Sequence, residues 1–282
     1  MLDGSTARSV RAQRFELGAL TVVVADYAAR LDQPRHCHDE PSCAFLVRGS
    51  LEESAAAGSH RAVAGDEVVK PAGVDHADRF GADGARMVAI RWERTADAAA
   101  PPVRYTWRRG LLRLGRAVAL VRDARRGSDD ALALEERALE LFAGAGDPPA
   151  ETARRIPAPP WIRGACARLA DDPTLPSVRE LARSAGVHPV HLARTFRAAT
   201  GITLRAWRRR LRIARAIDLM HARRASLARV ALEAGFADHA HFSRSFRREL
   251  GITPSEYDSV AGRSGAAAAC GRRVASYNAA PF

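Results

Sequence analysis

The sequence is short of three things, and each shortage closes off a class of protein. It carries four cysteines in 282 residues, Cys37, Cys43, Cys166 and Cys270. So scattered a set makes no disulfide framework of the kind that staples small secreted scaffolds. No run of 18 apolar residues occurs, and the N-terminus lacks the apolar stretch of a signal peptide. Neither a membrane span nor secretion is therefore expected, and the expectation is a soluble, cytoplasmic protein. Lysine is almost missing: of 44 Lys plus Arg, only Lys70 is a lysine.

Arginine is what the chain has instead. The formal net charge is +12 and the pI is near 10.8. Residues 161–260 alone hold 18 Arg against 9 Asp plus Glu, so most of the excess sits there. A basic stretch of that density suits neutralisation of backbone phosphates, which makes binding strongly salt-dependent. The length suggests two domains, each large enough for its own core.

The same basic stretch repeats one phrase. Leu181 to Thr203 reads LARSAGVHPVHLARTFRAATGIT, and Val230 to Thr253 reads VALEAGFADHAHFSRSFRRELGIT. The copies lie about fifty residues apart, and the second has one extra residue after its Gly-Phe. Two copies are too few for a solenoid. Each copy has the logic of a helix-turn-helix. Ser177 and Glu180 form a capping box that starts a helix near Val178. Gly186 supplies a turn, His188 caps the next helix, and Pro189 takes its first position. Leu192 and Phe196 bury one side, leaving Val190, His191, Arg194 and Arg197 outward, and Gly201 closes the helix. In the second copy Ser226 is the N-cap, Gly235 makes the turn, and Phe242 and Phe246 are the buried pair. His239, Ala240, Ser243, Arg244 and Arg247 face outward. Thr253, Pro254 and Glu256 start a closing helix. Between the units, Leu204 to Met220 reads as one helix, with Trp207, Leu211, Ala214 and Ile217 inward and Arg208, Arg209, Arg210, Arg212 and Arg215 on its start and flanks.

With Glu180-Leu-Ala, Ala185-Gly186-Val187, Leu192-Ala-Arg194-Thr-Phe196-Arg, Gly201-Ile-Thr, Ala234-Gly235-Phe236, His241-Phe242-Ser-Arg244-Ser-Phe246-Arg and Gly251-Ile-Thr-Pro254-Ser-Glu-Tyr257 in place, residues of about 160–260 resemble the DNA-binding domain of the AraC/XylS family of transcription regulators. The resemblance implies an all-α domain of seven helices that sets its third and sixth helices into successive major grooves, about 34 Å apart. Arg194 and Arg244 are then the expected base readers, since an arginine fork fits guanine O6 and N7. Arg209 is the expected phosphate contact, and Phe196, Phe246 and Trp207 are core rather than base-stacking residues.

The N-terminal part differs in kind. Leu20 to Val24, Ala44 to Val47, Glu67 to Lys70 and Met87 to Trp92 read as strands between Gly, Pro and Asp turns. Gly65-x5-Pro71-x-Gly73-x2-His76 lies among them, with His36-Cys-His38 upstream. Together these resemble the two motifs of the cupin barrel, so residues of about 15–95 would be a jelly-roll-like effector domain. Ser42 or Cys43 stands where that family carries Glu, and Phe80 where it carries Asn. His36 and His38, two apart on a strand, point the same way. His76 would be a third nitrogen, and Cys43 could replace the absent Glu. Such a set suits Zn²⁺ or another transition metal. The same histidines would also line a polar pocket for an organic effector. Cys37 is expected to face outward, Cys166 to be core and Cys270 inert.

Ala96 to Pro102 reads as a linker and Asp147 to Pro160 as a hinge. Between them, within residues 108–145, Leu111 to Arg126 and Asp129 to Gly144 read as amphipathic helices. Their stripes are Leu111, Leu114, Val118 and Val121, then Leu132, Leu139 and Phe142. They are expected to pack on the barrel or to support a homodimer. Residues 261–282 are a low-complexity tail. The expected function is a DNA-binding transcription regulator whose barrel senses a small molecule or metal, with promoter DNA and RNA polymerase as partners. The alternatives are a metal-dependent cupin oxygenase or isomerase fused to a DNA-binding domain, and a barrel that only dimerises. The absent Glu, and the lack of any acid or base legible near the histidines, weigh against the enzyme.

Overall fold

A computed structural model describes residues 10–92, 104–126, 130–144, 159–171, 176–222 and 226–262. The expected linker at Ala96–Pro102, the hinge from Asp147 up to residue 158, Asp129, and the tail from residue 263 with Cys270 lie outside the described residues.

Among the described residues, eight antiparallel strands come first: β1 (Val10–Leu17), β2 (Leu20–Tyr27), β3 (Asp32–His36), β4 (Ser42–Ala55), β5 (Gly58–Val63), β6 (Asp66–Lys70), β7 (His76–Trp92) and β8 (Thr106–Arg109). The sheet runs β1-β2-β7-β4-β6-β8, with β3 added to β7 and β5 to β4. β4 and β7, 14 and 17 residues long, carry the construction because each pairs with three others. Register shifts between Leu46 and Arg48 and between Gly49 and Leu51 bend β4 and curl the sheet. Gly49 is required at that bend: its φ is +83°, and a Cβ there would lie 1.9 Å from the Gly84 carbonyl oxygen.

The four apolar runs seen in the sequence are the centres of β2, β4, β6 and β7. β1, β3, β5 and β8 carry no such run. The sequence of β3 is DQPRH, mostly exposed, and its pairing is supplied by the backbone of β7. The curled sheet has two apolar faces. Ala44, Leu46, Leu51, Ala62, Val68, Phe80, Ala85 and Met87 form one cluster. Leu20, Val22, Val24, Cys43, Phe45, Val69, Val88 and Ile90 belong to a second and larger one.

That larger face is covered by α1 (Leu111–Arg125) and α2 (Ala131–Ala143). The expected stripe of α1 is buried throughout. In α2 the buried side chains are Leu134, Ala138, Leu141 and Phe142, while Leu132 is 80% exposed. Asp130 caps the helix by accepting from the Ala133 N–H, and this fixes the phase that turns Leu132 to solvent. Glu67 on β6 anchors both helices. Its carboxylate is fully buried and accepts from Nε and Nη2 of Arg108 (3.1 and 3.0 Å) and of Arg113 (2.9 and 2.8 Å). The same guanidinium groups donate to the carbonyls of Gly144 and Leu141 in and beyond α2.

Seven helices follow among the described residues: α3 (Pro160–Asp171), α4 (Val178–Ser184), α5 (Pro189–Thr200), α6 (Leu204–Ala222), α7 (Leu227–Glu233), α8 (His239–Leu250) and α9 (Pro254–Ala261). Their boundaries follow local chemistry. Ser177 with Glu180, and Thr253 with Glu256, form capping boxes. His188 caps α5 through Nδ1, and Gly201 and Gly251 end α5 and α8 in the left-handed region. The extra residue of the second copy is resolved by Asp238, which caps α8 by accepting from the His241 N–H at 2.6 Å.

The two helix-turn-helix units differ in what they pack against. The first has its own cluster, built from Ile162, Leu169, Leu181, Leu192, Phe196, Trp207 and Leu211. The second contributes Val230, Phe236, Phe242, Phe246, Leu250, Tyr257 and Val260 to the cluster that also holds the barrel face and α1. Polar ties reinforce that contact. The Tyr257 hydroxyl donates to the Val47 carbonyl, Arg86 donates to the Val260 carbonyl at 2.7 Å, and Arg122 pairs with Glu256. At Gly115 of α1 a Cβ would lie 1.8 Å from the Leu250 carbonyl oxygen, so this glycine sets how closely α1 meets α8.

Gly115→Ala is therefore expected to lower the unfolding free energy by about 1–3 kcal/mol through overpacking. Gly164→Ala, at an exposed helical site with open space around it, should raise it by about 0.5–1 kcal/mol. Urea titration of both variants checks the pair.

His221, at the end of α6, sits in the same contact against Tyr257, with ring centroids 5.9 Å apart. Burial, then the charges of Arg48 and Arg86, pulls its pKa down to about 3. The unfolded chain binds this proton below an ordinary histidine pKa of about 6.5 and the folded chain does not. Stability should thus fall as pH drops from about 6.5 toward 3. His221→Gln should flatten that decline, as read from melting temperature against pH.

Candidate nucleic-acid interface and metal centre

The outer faces of α5 and α8 are open. Val190, His191, Arg194 and Arg197 are exposed on α5, and His239, Ala240, Arg244 and Arg247 on α8, with Ser243 half-buried. On the opposite sides, Leu192 and Phe196, and Phe242 and Phe246, are fully buried. His191 lies against Trp161, with ring centroids 5.8 Å apart. His241, which is half-buried, packs edge-on against Phe236 at 5.4 Å.

Arg209 sits elsewhere. Its Nε donates to Glu249 Oε1 at 2.5 Å, and Arg210 Nε donates to Oε2 at 3.2 Å. The expected phosphate contact is thus engaged inside the protein, where it joins α6 to the buried Glu249 of α8. The physical reason is the helical phase of α6, which turns positions 209 and 210 toward the second unit.

The structure brings His36, His38 and His76 together. Their ring centroids are 4.3–5.3 Å apart, and their ligand nitrogens lie within 4.8 Å of one another, so the group can hold a metal ion. His36 ends β3 and is the register partner of His76, which begins β7; His38 lies in the following loop. His36 Nδ1 lies 2.8 Å from the Pro34 carbonyl, and His76 Nδ1 lies 2.9 Å from that of Val74. A carbonyl only accepts, so each Nδ1 carries the hydrogen and each Nε2 keeps its lone pair for a ligand. Burial, then the Arg91 charge, lowers the His38 pKa to about 4, and burial lowers that of His76. Both rings are neutral near pH 7, the form that binds metal.

Cys43 is not part of this group. It is buried in the large cluster on the other face of β4, and its thiol pKa is raised by burial and then by the nearby Glu67 charge. Alternation along the strand explains the correction: Ala44 and Leu46 face the barrel interior, so Cys43 and Phe45 face α1. Phe80 stacks on Tyr27 at 4.2 Å. Cys37 is exposed and Cys166 half-buried; burial raises the Cys166 pKa to about 11.

Acid and base groups do stand beside the histidines, which the sequence did not reveal. Glu53, His76 and Asp78 form a second group of ligand atoms within 4.8 Å. Lys70, the one lysine, pairs with Glu53. Tyr105 donates to Glu53 at 2.8 Å and accepts from Trp107 at 3.1 Å. Burial pushes Glu53 up, but Lys70 outweighs it and holds the carboxylate below its ordinary range. Burial raises Asp78 to about 7. These residues meet through cross-strand pairing, Glu53 opposite Asp78, and no local spacing signals it.

The helical half thus carries two successive helix-turn-helix units on one chain. A family described as a helix-turn-helix domain matches residues 181–259. Over 98 residues the chain is 32% identical to the arabinose operon regulatory protein of Salmonella typhimurium, covering 34% of this chain and 35% of that one. The Escherichia coli protein of the same name is 32% identical over 99 residues, covering 34% of each. The HTH-type transcriptional activator RhaR of Salmonella arizonae is 34% identical over 73 residues, covering 26% of each. The chain thus spans about a third or less of the length of these relatives. Residues 181–259 are thus a helix-turn-helix domain similar in sequence to segments of these regulators. Among solved structures, the barrel overlaps an oxalate decarboxylase of Bacillus subtilis (18% identity, 30% of this chain and 26% of that one, TM-score 0.28). It also overlaps a putative glyoxylate induced protein of Pseudomonas aeruginosa (15% identity, 36% and 41%, TM-score 0.31). No helix among the described residues is long and apolar enough to cross a membrane.

Arg209→Ala should lower stability by about 1–3 kcal/mol, because the buried Glu249 loses a charged donor. Denaturant melts of the free protein measure it, and an unchanged midpoint would place the pair among inconsequential surface contacts.

Proposed function

We propose that this protein is a sequence-specific transcription regulator whose N-terminal barrel senses a small molecule or metal. One observation carries the reading: both second helices of the repeated motif present an exposed arginine face while their apolar faces are buried. Docking of α5 and α8 into successive major grooves supports base contacts from Arg194 and Arg244 and flanking contacts from Val190, His191, Arg197, His239, Ala240, Ser243 and Arg247. In the barrel, three imidazoles suit Zn²⁺ or another late transition metal. Bound there, such an ion would supply a fixed positive charge to the pocket, with His36, His38 and His76 as its holders. The histidines and the Lys70–Glu53–Tyr105 chain also offer polar contacts to an organic effector.

A signal requires the effector to bind DNA-competent and incompetent arrangements with different affinity. The contact of α1 with α8 and α9 supports a route from barrel to second reading head. Residues 108–145 supply a surface for a homodimer, and the domains fall at about 15–95, 108–145 and 160–260. A metal-dependent cupin enzyme is the second reading, favoured by Glu53 and Asp78 beside His76. Turnover by the purified, metal-loaded protein would support that one.

Arg194→Ala and Arg244→Ala should each weaken specific DNA binding by about 1–3 kcal/mol and relax base preference in different half-sites. Binding selections on randomised duplexes, repeated at two salt concentrations, test this. Equal loss on all sequences would make them phosphate contacts, and no loss would remove the proposed docking.

A further inference from the structure

The seam between the barrel and the second helix-turn-helix unit is crowded with cations. Arg48 comes from β4, Arg86 from β7 and Arg125 from the end of α1, and Asp26 of β2 stands among them. Arg86 takes both oxygens of that carboxylate, with Nε 2.7 Å from Oδ1 and Nη2 2.6 Å from Oδ2. Arg48 reaches Oδ1 only at 3.4 Å, longer than an ordinary N–H···O bond. Arg125 forms no ion pair among the described residues and donates to Gln13 Oε1 at 3.1 Å. Asp83 acts on Arg48 through its charge alone.

From the other side, α6 and α9 close the seam. His221 of α6 packs on Tyr257, and Arg86 Nη1 donates to the Val260 carbonyl at 2.7 Å. Two buried polar atoms here have no hydrogen-bond partner, Arg48 Nε and His221 Nε2. After burial, the charges of Arg48 and Arg86 are what His221 feels most, which sets both orphaned atoms on one seam. Buried polar atoms are almost always satisfied, and buried charges are almost always paired. Burial, then the Arg86 charge, lowers the pKa of both Arg48 and Arg125, so the cations repel one another without a sufficient counter-charge. A water molecule would satisfy the N–H groups but leave that repulsion in place.

We propose that this seam is a binding site for a phosphate-type dianion, held by Arg48 Nε and His221 Nε2, with Arg125 at its exposed rim. A guanidinium offers phosphate oxygens charged donors in a fixed plane, and a neutral imidazole donates one hydrogen bond through the nitrogen that carries its hydrogen. Arg86 is already committed to Asp26 and Val260 and contributes charge rather than a new fork. Arg48 and Arg125 are the two guanidiniums without a full carboxylate partner, so a dianion balances them where a single carboxylate does not. The ligand spans β4 and α6, the helix shared by the two helix-turn-helix units. Its binding therefore favours the arrangement in which α6 is docked on the barrel over any in which it is released. The site lies outside the barrel interior and depends on neither the histidine metal centre nor the DNA contacts.

The test titrates the full chain with inorganic phosphate near neutral pH, with sodium chloride holding the ionic strength constant. Melting temperature and the NMR signals of the His221 ring are followed together. In the wild type, phosphate should raise the melting temperature along a one-site saturation curve, and the ring signals should move along the same curve. Arg48→Gln should weaken phosphate binding by about tenfold or more, the loss of a charge-assisted hydrogen bond. Arg125→Gln, at the rim, should weaken it less. The double variant Arg194→Gln with Arg244→Gln should keep both responses, which separates this site from phosphate resting on the exposed arginines of α5 and α8. His221 signals that ignore phosphate in the wild type overturn the proposal, and this reading needs no variant to fold. So does a response that Arg48→Gln retains in full, or one that the double variant abolishes, since each leaves water or an adventitious ion in the seam. All of these outcomes leave the base contacts of Arg194 and Arg244 to their own test.

Discussion

The arrangement of this molecule depends on one buried carboxylate. Glu67 has no exposure to solvent and is held by the forks of two arginines, Arg108 from β8 and Arg113 from α1. Those arginines reach on to the carbonyls of Leu141 and Gly144 at the end of α2. Four elements thus converge on a single side chain. Buried ion pairs contribute little net stability when compared with apolar replacements, but removing one partner leaves an uncompensated charge. Their effect here is positional: α1 has one place on the sheet where both forks close. Everything that packs on α1 inherits that placement, including α8 through Gly115 and α9 through Arg122 and Glu256.

That placement puts the barrel interior and the second helix-turn-helix unit on two sides of the same strands. On β6, Val68 faces the inner cluster, while Glu67 holds α1. On β4, Ala44 and Leu46 face inward, Phe45 faces α1, and the Val47 carbonyl accepts from Tyr257. Strand pleating makes neighbouring residues inseparable, so a ligand that repositions Lys70 or the histidines moves backbone that also anchors the second helix-turn-helix unit. On the proposed reading, the effector needs no long chain of contacts to reach α8. It needs only to favour one packing of α1 against the sheet over another.

The legible part of the sequence was the part whose structure is set locally. Capping boxes, Pro at the first helical turn, left-handed glycines and i, i+4 apolar pairs act within a few residues, and so the helices from Val178 to Ala261 could be read directly. His36, His38 and His76 were legible as a group because each sits in a short motif. The strands were legible only where both faces are buried. β3 and β5, polar and peripheral, carry no pattern that distinguishes them from loops. Cys43 was placed wrongly because the spacing of a motif does not fix which face of a strand a residue takes. Glu53, Asp78 and Lys70 were invisible as a cluster for a related reason. They are brought together by the β4–β7 and β4–β6 registers, which depend on the bulges near Gly49. Arg209 reads as a phosphate contact because nothing local shows that Glu249, forty residues on, is turned toward it.

The two helix-turn-helix units are therefore unequal in a way the repeat conceals. α6 is shared between them, but its halves lie in different cores. Trp207 and Leu211 belong to the cluster of the first unit, while Ile213, Ala216, Ile217 and Met220 belong to the cluster that includes the barrel face. The second unit is fixed to the barrel by apolar packing and by the Tyr257, Arg86 and Arg122 ties. The first is fixed to the second through α6 and the grip of Arg209 and Arg210 on Glu249. On the proposed reading, spacing of two half-sites on one DNA face requires a defined angle between α5 and α8, and α6 with this ion-pair cluster holds the two units together. On the proposed reading, a change in the barrel acts first on the second unit and reaches the first through α6. The duplicated sequence describes two similar helix-turn-helix units, but the packing gives them different mechanical roles.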